Sequence, residues 1–123
     1  RLIMPEAPVI DPQSIDNLRS LNPGDNDEFL REIVEIFIED TPLRMADREA
    51  GLAAGDTAKF TRAAHSIKGS SANLGAVALG AVAEKLEHQS RREGLAGVAP
   101  LLAVLNDEFI RTKAELTKLL SAK

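Results

Sequence analysis

The chain contains no cysteine, tryptophan or tyrosine, and its aromatic content is four phenylalanines in 123 residues. Without cysteine there is no disulfide framework and no thiolate metal site, and a reducing, cytoplasmic location is the expectation. Single-stranded nucleic-acid binding lacks the aromatic platforms on which bases stack. Basic blocks are missing too. The 15 Lys and Arg are interspersed with 19 Asp and Glu for a net charge of −4, which leaves no footprint for a phosphate backbone, so nucleic acid is not an expected partner. No apolar run approaches the roughly 18–20 residues of a membrane span, and no signal-peptide pattern opens the chain. A Gly-rich phosphate cradle is also absent, so nucleotide binding is not expected.

What remains is 44% apolar and 28% charged, as in an ordinary globular domain. The length suits one domain and is too short for two. Apolar content lies mainly in Ala and Leu, which favours helices packed through aliphatic side chains. The chain begins at Arg1; either Met4 is the native start behind added residues, or the chain is a domain excised from a longer protein.

Residues 1–10 carry Pro5 and Pro8 without helical period and read as a linker or added arm, leaving 11–123 as the folded domain. Asp11-Pro12 is a helix-start signal, predicting a short helix to about Leu21 with Ile15 and Leu18 inward, then a turn at Asn22-Pro23-Gly24. Asp25 or Asn26 is expected to begin a long second helix. Phe29, Ile33, Ile36 and Phe37 give it the spacing of a buried face, with Leu30, Val34 and Ile38 alongside. Pro42 should kink or interrupt it, with Thr41 capping a restart through Leu43, Ala46, Ala50 and Ala53 to Gly55. Asp56 is expected to cap a third helix to about Asn73. A fourth, with Leu79, Val82 and Leu86 on one face, runs to about Arg91, followed by a loop through Gly97. The last helix starts near Pro100, carries Leu102, Leu105, Phe109, Leu116 and Leu119, and frays near Ala122. No strand alternation is present. The expected fold is all-α: an up-down-up-down four-helix bundle with a short extra N-terminal helix packed across it.

Chemistry concentrates in the third helix. On a helical wheel of about 100° per residue, Phe60, Ala64, Ile67, Ser71 and Leu74 define the inward arc, and His65 lies roughly 140° from its centre. His65 therefore faces solvent, in a stripe with Ala58, Arg62, Gly69 and Ala72. An exposed helix face is normally long and charged; this one, apart from Arg62, is bare. Gly69 costs about 1 kcal/mol relative to alanine in mid-helix, and close approach of a partner would explain it, although close packing of helices would too. Lys68, three residues after His65, sits on a neighbouring position, where an ammonium neutralises a phosphoryl group. Imidazole, with an unperturbed pKa near 6.5, keeps a nucleophilic fraction at neutral pH and forms covalent intermediates. A lone exposed histidine is ordinary; one combined with Lys at i+3, Gly at i+4 and a bare stripe points to phosphoryl carriage, which asks mainly for positioning and charge neutralisation.

The segment His65-Ser66-Ile67-Lys68-Gly69-Ser70-Ser71-Ala72-Asn73-Leu74-Gly75 resembles the signature of histidine-containing phosphotransfer domains. The similarity extends over residues 11–122, through Phe37-Ile38-Glu39-Asp40, Ala50 to Asp56, Leu79 and Leu86-Glu87. The resemblance implies a four-helix bundle that takes a phosphoryl group from the aspartate of one receiver domain and hands it to another, with no ATP site or kinase activity of its own. It makes His65 the phosphoacceptor and has Lys68 stabilise the phosphoryl group, with Gly69 giving the receiver clearance. Arg62 and Ala72 join the docking face with apolar residues of the second helix. No cofactor belongs to the chain; Mg2+ belongs to the receiver. Response-regulator receivers and a hybrid histidine kinase are the implied partners of a monomer. Where relatives commonly have glutamine beside the histidine, spacing puts Glu87, a carboxylate that orients a neutral imidazole yet repels a phosphorylated one.

The nearest alternative is the N-terminal phosphoacceptor domain of a chemotaxis-type histidine kinase, which carries a similar His-Ser-Ile-Lys-Gly motif. The more distant one is a helical interaction module that carries no phosphate. His88, the other histidine, lacks the Lys-Gly companions and reads as a surface residue. No i, i+4 histidine pair or Glu-x-x-His arrangement suggests a metal.

Overall fold

A computed structural model describes residues 9–21, 24 and 27–121. Among them are five helices and no strand: α1 (Pro12–Leu21), α2 (Glu28–Ala54), α3 (Thr57–Leu74), α4 (Val77–Glu93) and α5 (Ala99–Ser121). α2 to α5 form the bundle, with α3 packed between α2 and α4, and α1 lies against α2 and α3. Asp11 starts α1 as expected, accepting the Gln13 N–H at 3.1 Å. Asp56 caps α3 through the Lys59 N–H at 3.1 Å, and Pro100 falls in the first turn of α5, where its missing N–H costs no helix bond. Gly75 ends α3 in the left-handed region (φ 71°), where a β-carbon would meet the side chain of Ser14. Its carbonyl accepts the Asp11 N–H at 2.7 Å. The short first helix is thus pinned to the end of the helix that holds His65.

The core is built from aliphatic stripes. Phe60, Ala64, Ile67, Ser71 and Leu74 of α3 are all buried, as the wheel requires. Leu79, Val82, Ala83 and Leu86 of α4 and Leu105, Phe109 and Leu116 of α5 close around them, and Phe37 meets Phe109 with ring centroids 6.1 Å apart.

α2 departs from expectation in four ways. It begins at Glu28, after Asp27 in a left-handed conformation (φ 65°); Asp25 and Asn26 lie outside the described residues, as do Asn22 and Pro23 of the expected turn. The helix runs through Pro42 without interruption, and Thr41 is a buried mid-helix residue rather than a cap. Proline costs about 3 kcal/mol in a helix interior, and packing on both sides of Pro42 offsets it. In the first half the buried stripe is Leu30, Val34 and Phe37, while Ile36 is 61% exposed. That stripe continues at the same period into Thr41, Arg48 and Gly51, leaving Leu43, Ala46, Ala50 and Ala53 on the outside. The inward face there is set by the close approach of α2 to the start of α3, where a β-carbon on Gly51 would lie 2.8 Å from the Phe60 nitrogen. Ile10, assigned to the arm, is buried in the core with Val9 packed against it; residues 1–8 lie outside the described residues.

Candidate functional site

α3 turns its apolar arc inward and leaves Ala58, Arg62, His65, Gly69 and Ala72 exposed. His65 emerges at the seam between α3 and α4, where Glu87 of α4 meets it. Glu87 Oε2 is 2.7 Å from His65 Nδ1, and Oε1 is 2.8 Å from Lys68 Nζ. Arg91, one turn further along α4, donates to Oε2 at 2.9 Å. The carboxylate side chain is 2% exposed, while the imidazole is 64% exposed. Ser90 continues the seam, its hydroxyl 2.7 Å from that of Thr61.

Burial pushes the Glu87 carboxyl up, but the Lys68 ammonium and the His65 ring beside it outweigh that, and its pKa is lowered from 4.5 to about 2. At neutral pH Glu87 is therefore an acceptor only, so the short contact requires the proton to sit on His65 Nδ1. In the neutral ring this leaves Nε2 with a free lone pair. The arrangement holds a nucleophilic nitrogen on the solvent side, with a cation anchored within reach.

The depressed pKa has a consequence for stability. A carboxyl bound more tightly as the anion in the folded state contributes stability that is complete above its unfolded value. Glu87 should thus stabilise the bundle fully above about pH 4.5, and lose that contribution as pH falls towards 2. Urea unfolding of wild type and Glu87→Gln across this range should show the difference shrinking by on the order of 3 kcal/mol.

The other expected site residues fall into place unequally. Gly69 faces open space: a β-carbon there would meet nothing within 4 Å, so helix packing does not require the glycine. Ala72 lies beside it, exposed. Arg62 is exposed on the same stripe but stands apart from the Glu87 cluster, lining a polar groove with Arg44, Asp47, Lys59 and Ser66 on the α2 side. His88 points into a different groove, with Lys85, Gln89 and Arg92 beside α5. Sequence reasoning missed Arg91; its i+4 spacing from Glu87 was the available signal. It also missed the exposure of Ile36 and Leu43, both above 60%, of which Ile36 borders a groove with Ser70 and Asn73 of α3. Among the described residues, no group of three or more His, Asp or Glu side chains is placed to hold a metal ion, and no helix is long and apolar enough to cross a membrane.

Residues 32–121 match the family of Hpt domains. The chain belongs to that family. Multistep phosphorelay regulator 1 of Schizosaccharomyces pombe is 28% identical to this Hpt domain over 127 residues, covering 93% of this chain and 43% of that protein. The Hpt domain thus spans less than half the length of that relative. The crystal structure of histidine-containing phosphotransfer protein B from Pseudomonas aeruginosa PAO1 superposes with a TM-score of 0.84 at 28% identity, over 96% of this chain and 99% of that one. The HPT domain of a sensor hybrid histidine kinase from Shewanella shares the fold, with a TM-score of 0.71 at 16% identity over 94% and 96% of the two chains. As an Hpt domain the chain is a phosphorelay intermediate, a phosphocarrier.

Proposed function

We propose that His65 is the phosphoacceptor of this Hpt domain, taking its phosphoryl group from the aspartyl phosphate of one receiver domain and passing it to another. The observation that carries this assignment is the exposed imidazole fixed through Nδ1 on a buried carboxylate, which leaves Nε2 free to attack in line. As the P–N bond forms, the P–O bond to the aspartate breaks and its electron pair returns to the carboxylate. Lys68 is placed to share its ammonium between Glu87 and the incoming phosphoryl oxygens. The receiver docks over His65, Gly69 and Ala72, with Arg62 at one edge and the exposed Ile36 and Leu43 of α2 beyond. Mg2+ and the remaining catalytic groups come from the receiver, and the domain itself binds no ATP. It works as a cytoplasmic monomer, loaded through a receiver coupled to a hybrid kinase.

Incubation with radiolabelled phosphorylated receivers tests the assignment. The expected result is acid-labile label on His65, chased onto a second, unphosphorylated receiver. Failure to take label from any receiver, with label accepted from an ATP-loaded kinase catalytic domain, would favour the chemotaxis-kinase alternative.

A further inference from the structure

The groove into which His88 points takes no part in the carrier chemistry. It encloses about 470 Å³ between α4 and the start of α5. Lys85, Gln89 and Arg92 stand on its α4 side at positions i, i+4 and i+7, a single stripe of the helix. Pro100 and Leu101 make its apolar side, with Gly97 of the connecting loop between. At about 100° per residue, this stripe lies nearly opposite Glu87 on α4. The groove is therefore separate from the face that carries His65.

Its charge is unbalanced. The chain has a net charge of −4, and other exposed cations are matched by carboxylates one turn away, Arg44 by Asp40 and Asp47, and Arg111 by Glu108. Lys85 and Arg92 are exposed, and no carboxylate lines the groove with them. Among the described residues neither has an ion-pair partner, the adjacent Glu84 and Glu93 of α4 included. Gln89, half-buried between them, has a carboxamide with no hydrogen-bond partner among the described residues. The backbone of Gly97 is outside the left-handed region that favours glycine, yet a β-carbon there would run into the Gln89 amide. This glycine keeps the floor of the groove free for that side chain.

We propose that this groove is a second docking site, and that its occupant is an acidic, extended peptide segment of a partner protein. An extended chain sends successive side chains to opposite sides. A segment in which Asp or Glu alternates with aliphatic residues therefore turns carboxylates to Lys85 and Arg92 and apolar side chains to Pro100 and Leu101. The two cations are seven residues apart, about 10.5 Å along α4, the span of about three extended residues. Gln89 between them offers both donors and an acceptor, as a peptide backbone requires. A phosphate ligand would leave the carboxamide oxygen unmatched. Because the stripe faces away from Glu87, the bundle can hold such a segment while His65 stays open to a receiver.

The test uses the full chain, labelled with 15N, and a short fluorescent peptide in which Glu alternates with Val. Fluorescence anisotropy should show saturable binding that weakens as salt is raised, and no binding of the same peptide with Gln for Glu. Amide shifts should concentrate on α4 from Lys85 to Arg92, on Gly97 and on Leu101, and leave Gly69 and Ala72 in place. Lys85→Gln combined with Arg92→Gln should weaken binding by about tenfold, the loss of two exposed ion pairs. Lys85→Arg combined with Arg92→Lys keeps both charges and should retain binding, as should Lys113→Gln, whose side chain lies outside the groove. Unfolding curves check that each variant is folded. Undiminished affinity in the double Gln variant, equal binding of the neutral peptide, no binding of the acidic one, or shifts centred on the His65 face would each overturn the inference. Displacement of the peptide by equimolar inorganic pyrophosphate, with the same shifts, would assign the groove to a phosphate ligand and overturn the peptide occupant. None of these outcomes bears on His65 as the phosphoacceptor.

Discussion

His65→Gln should take up no phosphoryl group from a phosphorylated receiver, while its unfolding free energy stays within about 1 kcal/mol of wild type. The two halves of that expectation have different physical origins. Chemistry is lost completely because an amide nitrogen has no available lone pair with which to attack phosphorus, and no other group of the cluster replaces it. Stability is kept because the imidazole is 64% exposed and Gln can donate to the same carboxylate. Glu87 also retains Lys68 and Arg91, so no buried charge is stranded. Label retained by the Gln variant would move the acceptor elsewhere, and His88→Gln, which should transfer normally, is the matching control.

Gly69 offers the second large effect, and there stability and transfer should move in opposite directions. A β-carbon at this position meets nothing of its own chain, so Gly69→Ala removes the helix penalty of glycine and should raise stability by about 1 kcal/mol. Gly69→Arg should leave the bundle equally folded. Its side chain, however, projects from the stripe that carries His65 and holds a receiver off the imidazole; displacement of about 1 Å from productive geometry can cost on the order of 100-fold. Stopped-flow transfer and urea unfolding on the same preparations separate docking from folding. Normal transfer by Gly69→Arg would show that receivers do not approach over this turn.

The helices of this fold are legible from the sequence because their ends carry explicit chemistry: Asp11-Pro12, Gly55-Asp56, Gly75 and Pro100 each mark a boundary that the structure keeps. The inward face of α3 is equally legible, since Phe60, Ile67 and Leu74 recur at one helical phase. The second half of α2 is not, for a physical reason. Its fully buried positions are Thr41, Arg48 and Gly51, residues that hydropathy assigns to the surface, with Met45 and Leu52 only partly buried beside them, while Leu43 and three alanines face solvent. Only the close approach of α2 to Phe60, a tertiary fact, selects that phase. Pro42 misleads similarly: a local rule calls for a break, and packing on both sides overrides it. At the site, the motif reveals His65, Lys68 and Gly69, whereas the burial of Glu87 and its link to Arg91 depend on how α4 is rotated against α3. A carboxylate beside the imidazole looks unfavourable until its two cations are seen.

The division of α3 into a sealed face and a bare one has a meaning for how such a domain can change over time. Phe60, Ala64, Ile67, Ser71 and Leu74 are each at most 1% exposed, and substitutions there are felt throughout the interior. Ala58, Arg62 and Ala72 touch little of the molecule, and surface substitutions away from special features usually shift stability by no more than about 0.5 kcal/mol. Partner choice can therefore drift along one side of a single helix while the other side holds the architecture constant. Duplicated copies of the domain could part company in whom they serve without either passing through an unfolded ancestor.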